Sequence, residues 1–216
     1  MWKRSDVSAA SDEGFVRVVG FECDPECLGV GKQVVGRFAK KADNVSLVWG
    51  DVLDKKFVQF LGKFSFVYAW GSLHHTGMMW QGIANAAEPV MDDGVFVLAI
   101  YNRSFLSPIW RVVKRSYGHS GRVTRSLMVG LCYILGAIAK GIYTGKNPLR
   151  KGRGMSFYYD IVDWVGGYPY EYASVNEVTS FVEKLGFQLE EVTRGSTPIA
   201  CNEFVFRKCA GQKNCG

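Results

Sequence analysis

Three stretches of the sequence end in side chains suited to chemistry. Glu22 follows the apolar run Val18-Val-Gly-Phe21. Asp51 follows Val45-Ser-Leu-Val-Trp49 across Gly50, with Val52 next in line. Phe64-Ser-Phe-Val-Tyr-Ala-Trp70 runs into Gly71-Ser-Leu-His74-His75-Thr76. In open α/β sheets, ligands sit beyond the carboxyl ends of the strands. A carboxylate at Glu22 can accept both hydroxyls of a ribose, or it can serve as a helix-capping or surface acid. Asp51 can accept from an adenine amino group, or it is a turn residue after Gly50. Two adjacent histidines point in different directions and have no third ligand nearby in sequence, so no metal is expected. A neutral imidazole at that edge can orient a substrate hydroxyl or take its proton. For at least one of the pair, a packed, hydrogen-bonded histidine is the plainer reading.

These groups need strands and helices to hold them. The runs 18–22, 45–49, 64–70 and 95–101 read as strands, the first short and buried, the last apolar up to Tyr101. Asp24-Pro25 opens a helix, because Asp can cap free N–H groups and Pro suits the first helical position. Leu28, Gly31, Val34, Val35 and Phe38 continue it at helical spacing. Lys55 to Leu61 suits a short helix closed by Gly62. Met79, Ile83, Ala86, Ala87 and Val90 form one helical face, and Asp92-Asp93-Gly94 a turn. Ser174-Val-Asn-Glu177 matches a capping box, starting a helix through Val178, Phe181, Val182 and Leu185. Residues 188–193 and 203–207 then form an antiparallel hairpin. The pattern predicts an α/β fold: a Rossmann-like, mostly parallel open sheet with a C-terminal antiparallel hairpin.

With 216 residues, one domain spanning 1–216 with a sizeable core is expected. Residues 102–173 form a long insertion, read as a helical cap. Of the 26 Lys and Arg, eleven fall in 102–159, and none of the 20 Asp and Glu does, so the net charge of +6 belongs to this segment. Ile109, Val112, Val113 and Tyr117 suggest one helix. The nearly continuous apolar run 127–139, flanked by Arg125 and Lys140, is short of the about 20 residues a spanning helix needs. It reads as a buried or half-buried cap helix, or, alternatively, as a membrane-surface helix among basic flanks. Trp164, Gly166, Gly167, Tyr168, Pro169 and Tyr170 make an aromatic, turn-rich patch. The six cysteines are scattered with no Cys-x-x-Cys pair, and residues 1–14 have no apolar centre for a secretory signal. A reduced, cytoplasmic chain is expected.

The segments Val19-Gly-Phe-Glu-Cys-Asp-Pro25, Gly50-Asp51, Phe64 to Thr76 and Asp93-Gly94 resemble, in order and spacing, successive motifs of class I S-adenosylmethionine-dependent methyltransferases. Arg153-Gly-Met-Ser-Phe-Tyr-Tyr-Asp160, Asp163-Trp-Val-Gly-Gly-Tyr-Pro-Tyr-Glu171 and Cys201-Asn-Glu-Phe-Val-Phe206 are similar to a bacterial small-molecule subgroup. The likeness covers about residues 18–207. It implies S-adenosylmethionine as cofactor and a small-molecule methyl acceptor. It also implies Glu22 at the ribose, Asp51 with Val52 at the adenine, and Trp70, Gly71 and His74 along the methionine side. His75, Tyr159, Asp160, Tyr168 and Tyr170 become the substrate-side candidates under a lid of residues 102–173.

The sequence departs from that family at its start. The family opens on a strand ending near Asp-x-Gly-x-Gly-x-Gly, whose backbone lets the cofactor approach closely. Residues 1–15 contain only Gly14, and 7–15 correspond to the helix that follows that turn. The expectation is a chain truncated at its N-terminus, with the first central strand missing and the sheet open in its middle. The alternatives are a non-catalytic truncated remnant, a nicotinamide-dependent oxidoreductase, and a basic-cap protein binding nucleic acid or anionic membrane. The missing turn counts equally against the oxidoreductase, which also lacks a Tyr-x-x-x-Lys pair. Of the binding roles, peripheral membrane contact is kept over nucleic acid.

Overall fold

The structure is a computed structural model that describes residues 17–38, 42–144, 156–197 and 200–211. The polar start of the chain, including the helix expected over 7–15, lies outside the described residues. The fold is α/β, with parallel ladders first and an antiparallel hairpin at the end, and its chain divides into two compact units, Met1–Lys63 and Phe64–Gly216. Among the described residues the strands form two separate sheets.

In the first unit, β1 (Val18–Glu22) runs parallel to β2 (Val45–Trp49), with Val18 opposite Val45 and Glu22 opposite Trp49. Between them, α1 (Pro25–Phe38) starts as its cap residue requires: Asp24 Oδ1 accepts the amides of Glu26 and Cys27 at 2.8 and 3.3 Å. Asp54 caps α2 (Lys55–Phe60) in the same way, at 3.0 and 3.2 Å. Gly50 is needed where it stands. A Cβ there would meet the Phe57 ring at 2.1 Å, and that ring packs edge-on against Phe21 at 5.3 Å. The glycine thus lets α2 close over the end of the β1–β2 pair.

The second unit carries the larger core. Its sheet runs β3-β4-β6-β5, where β3 (Phe64–Trp70) is parallel to β4 (Val90–Tyr101) and β6 (Cys201–Lys208) is antiparallel to both β4 and β5 (Phe187–Thr193). Phe96, Leu98 and Ile100 of β4, Phe204 and Phe206 of β6, and Phe187 of β5 are fully buried. Ile83 of α3 (Met79–Ala87) is buried with them, as are Val178 and Val182 of α7 (Val175–Glu183). Each such side chain contributes about 1.5–3 kcal/mol of transfer free energy. The capping box at Ser174 and Glu177 forms as expected, and Arg103 clasps Glu177 at 2.7 Å.

The fourth strand differs from expectation. It begins at Val90, five residues early, so Val90 belongs to the sheet and α3 stops at Ala87. The Asp92-Asp93-Gly94 signal is a local irregularity within the strand. Pairing jumps from Phe64–Val90 to Phe66–Val95, and Asp93 takes a left-handed φ of 59°. The turn residues keep their local conformation while the ladder to β3 continues on both sides of them.

Residues 102–173 contain α4 (Ser107–His119), α5 (Arg122–Thr144) and α6 (Phe157–Gly166), with 145–155 outside the described residues. The apolar run of 127–139 belongs to a helix of 23 residues, and of the two burial readings it is half-buried rather than buried. Only 6% of the Arg122–Ala139 window is buried. Val129 is its fully buried side chain, while Leu127, Leu131, Ile134, Leu135 and Ile138 are more than half exposed. The run is apolar on all sides, and α6 covers only one. Among the described cysteines, Cys23, Cys27, Cys132 and Cys201 are free.

Candidate functional site

In the first unit, Glu22 and Asp51 stand at adjacent carboxyl ends of two parallel strands, joined by a Gly50 N–H to Glu22 carbonyl bond of 3.1 Å. Glu22 Oε1 accepts the amides of Cys23 and Asp24 at 2.9 and 3.2 Å. Asp51 Oδ1 accepts the Leu53 amide at 2.9 Å in an exposed turn that buries Val52. Burial raises the Cys23 thiol pKa first, and then the hydrogen bond and charge of Glu22 and the charge of Asp51 raise it further. Both carboxylates therefore act on one thiol at the mouth of the pair. Each also fills the local role weighed for it, Glu22 in the loop before α1 and Asp51 in a turn.

In the second unit, β3 ends at Trp70 and Gly71 turns the chain with φ 74°. A short 3-10 turn over Leu73–His75 follows. The aromatic patch of 163–171 clamps this turn. His75 Nδ1 lies 2.6 Å from the Pro169 carbonyl, the Glu171 amide donates to the His74 carbonyl at 3.0 Å, and Glu171 Oε2 accepts the Met79 amide at 3.0 Å. Met78, the N-cap residue of α3, offers no side-chain cap, so Glu171 supplies the missing acceptor from far along the chain. A carbonyl can only accept, so His75 Nδ1 carries the proton and Nε2 keeps its lone pair. Burial lowers the His75 pKa from its ordinary value, leaving the ring neutral at pH 7.

His74 is the packed histidine of the pair. It is 1% exposed, its ring lies 4.1 Å from that of Tyr101, and its Nδ1 has no hydrogen-bond partner. Burial, then the charges of His75 and Lys114, hold its pKa well below the ordinary range. Gly167 makes room for the other imidazole, since a Cβ there would sit 2.7 Å from His75 Cε1. Gly167→Ala is therefore expected to displace His75 from Pro169 and cost about 1–3 kcal/mol by overpacking. Urea unfolding reads the cost, and the ring 15N shifts of His75 read the lost tautomer. Unchanged stability with unchanged shifts would refute the packing described.

Sequence reasoning missed the centre of this cluster. Lys114, on α4, is 0% exposed, and its Nζ donates to the Trp164 carbonyl. The ammonium also lies 4.9–5.6 Å from the ring centroids of Trp164, Tyr170 and Tyr101. Burial lowers its pKa to about 8, against the opposing pull of Asp163. Tyr101 ends β4, and burial raises its pKa, as it pushes that of Tyr170 up to about 12. Arg111 Nε donates to the Tyr170 carbonyl at 3.2 Å while its guanidinium lies 4.6 Å from the Tyr172 ring centroid. The structure thus gathers His74, His75 and Tyr170 with Tyr101, Lys114 and Trp164. It does not bring in Tyr159, 67% exposed on α6 with its ring against Tyr158, and Asp160 next to it is half-buried. Tyr168 is 40% exposed. Among the described residues, no group of three His, Cys, Asp or Glu could hold a metal ion.

No protein-family model matches this sequence, and no curated protein sequence matches it. Solved structures do. The magnesium protoporphyrin IX methyltransferase of Synechocystis PCC 6803, with S-adenosylhomocysteine bound, is 12% identical, with a TM-score of 0.55 over 94% of this chain and 68% of that one. PKMT2 of Rickettsia typhi, in complex with the same molecule, is 9% identical, with a TM-score of 0.60 over 89% of this chain and 44% of that one. The N-terminal domain of EvdMO1, also with S-adenosylhomocysteine, is 15% identical, with a TM-score of 0.53 over 94% and 68%. Identities this low speak for the fold alone: this chain shares its α/β fold with these S-adenosylhomocysteine-bound proteins.

Proposed function

We propose that the chain belongs to an enzyme that transfers a methyl group from S-adenosylmethionine to a small-molecule acceptor. The observation that carries this reading is the pair of acids, Glu22 and Asp51, at adjacent carboxyl ends of parallel strands in a chain with the fold of S-adenosylhomocysteine-bound proteins. The nucleoside half of the cofactor fits these residues: Asp51 Oδ2 stands in an exposed turn, ready to accept an amino group, and Glu22 offers a carboxylate to a ribose. The glycine-rich turn that would pass the methionine half has no counterpart in residues 1–216. Bound there, the cofactor supplies an electrophilic methyl group on a sulfonium.

On the acceptor side, His75 is the residue we assign to the proton. Its Nδ1–H is fixed on the Pro169 carbonyl, so Nε2 can accept a proton from an acceptor hydroxyl or amine. Because burial keeps the ring neutral, that lone pair is available at pH 7. Tyr101, Tyr170 and the Lys114 ammonium stiffen the wall behind the histidines through ring contacts of 4.1–5.7 Å. Aligning the nucleophile and removing one proton would supply most of the catalysis, since the leaving thioether is neutral.

Glu22 provides the test. In a version carrying a glycine-rich turn before Val18, Glu22→Ala is expected to weaken S-adenosylhomocysteine binding by about 1.5–3 kcal/mol, the worth of charge-assisted hydrogen bonds to ribose. Equilibrium dialysis measures it. Equal affinity of the two forms would remove Glu22 from the site.

A further inference from the structure

We propose that α5 docks, lying flat, on an anionic phospholipid surface. This is independent of the methyl-transfer reading. Seven exposed apolar residues on this helix recur at helical spacing: Val123, Leu127, Leu131, Ile134, Leu135, Ile138 and Ile142, each 54–82% exposed. At 3.6 residues per turn they fall within a stripe of about 120°, on a helix roughly 34 Å long. The opposite side is taken by α6, where Gly136 meets Ile161 and Phe157, the Tyr133 ring lies 5.3 Å from that of Phe157, and Val129 is buried. Ile109 and Val112 of α4, and Phe105 in the turn before it, are likewise exposed, at 57–81%.

Charge decides the occupant. Residues 102–159 hold eleven Lys and Arg and no Asp or Glu; of these cations Lys114 is buried and Arg103 is paired with Glu177. A second copy docking about a two-fold axis would bring this acid-free segment against itself, like charge on like charge. An anionic bilayer satisfies both features, taking the apolar stripe about 5–10 Å into the headgroup boundary with the basic side chains at the phosphates. The helix is long and apolar enough to cross a membrane. Spanning would strip Val129, Tyr133 and Gly136 from α6, whereas lying flat keeps those contacts.

Flotation of the full chain with vesicles tests this, comparing phosphatidylcholine alone with phosphatidylcholine containing about 30 mol% phosphatidylglycerol at low salt. Binding is expected to the anionic vesicles and to fall about tenfold in ~0.5 M salt. Leu131→Glu, at an exposed position, is expected to weaken it by a similar factor with an unchanged circular dichroism spectrum. Arg115→Gln combined with Arg122→Gln should reduce only the preference for anionic lipid. Absence of vesicle binding would overturn the proposal. So would equal binding to neutral vesicles, resistance to carbonate extraction, or a dimer in solution that Leu131→Glu dissociates.

Discussion

Replacing Lys114 by methionine is expected to abolish a pH dependence of stability worth about 3 kcal/mol between pH 8 and 10.5. The lysine is fully buried with its pKa lowered from 10.5 to about 8. In the unfolded chain it holds its proton up to pH 10.5, whereas in the folded chain it releases it near pH 8. Between these values the unfolded state binds more protons, so lysine-linked stability rises with pH. Below pH 8 both states are charged and the burial penalty is constant. Tyr101, Tyr170 and the cysteines with raised pKa values act in the opposite sense at the alkaline end. They act equally in the variant, so the difference between wild type and Lys114→Met isolates the lysine. Urea unfolding followed by near-ultraviolet circular dichroism across pH 7–10.5 gives that difference. A difference that stays flat with pH would mean that Lys114 is not an enclosed cation.

Local signals explain what could be read directly from the sequence. Asp24-Pro25 starts a helix because its own side chain and ring geometry do so, and Ser174 and Glu177 satisfy each other within one turn. The hairpin 187–208 follows from two strands separated by a short loop. The same locality misled at Asp92-Asp93-Gly94, where turn chemistry is real but the ladder to β3 overrides it. Lys114 was illegible because it sits among basic, exposed neighbours. Its burial comes from Trp164 and Tyr170, brought to it by the fold from 50 and more residues away. Glu171 likewise caps a helix 92 residues upstream. The motif Asp163 to Glu171 was visible as a pattern. What it does here, clamping His74 and His75, rests on three contacts that no spacing rule contains. The side of α5 left bare could not be told from an unbroken apolar run, since only the position of α6 sets it.

The second large effect concerns the cofactor itself. On the proposed reading, Glu22 and Asp51 hold the nucleoside of the cofactor and supply only part of the affinity. The resemblance implies that the remainder comes from the backbone of a glycine-rich turn, and residues 1–16 hold no such turn. The chain of 216 residues is therefore expected to bind S-adenosylhomocysteine no better than about 1 mM, near −4 kcal/mol. Placing a strand ending in Asp-x-Gly-x-Gly-x-Gly ahead of Val18 should bring binding into the low micromolar range, about −8 kcal/mol. Calorimetric titration of S-adenosylhomocysteine into the two forms measures the difference directly. The account predicts a gain of about a thousandfold that depends on Glu22. An extended form that folds, as judged by circular dichroism, yet takes up no ligand would contradict the methyltransferase reading.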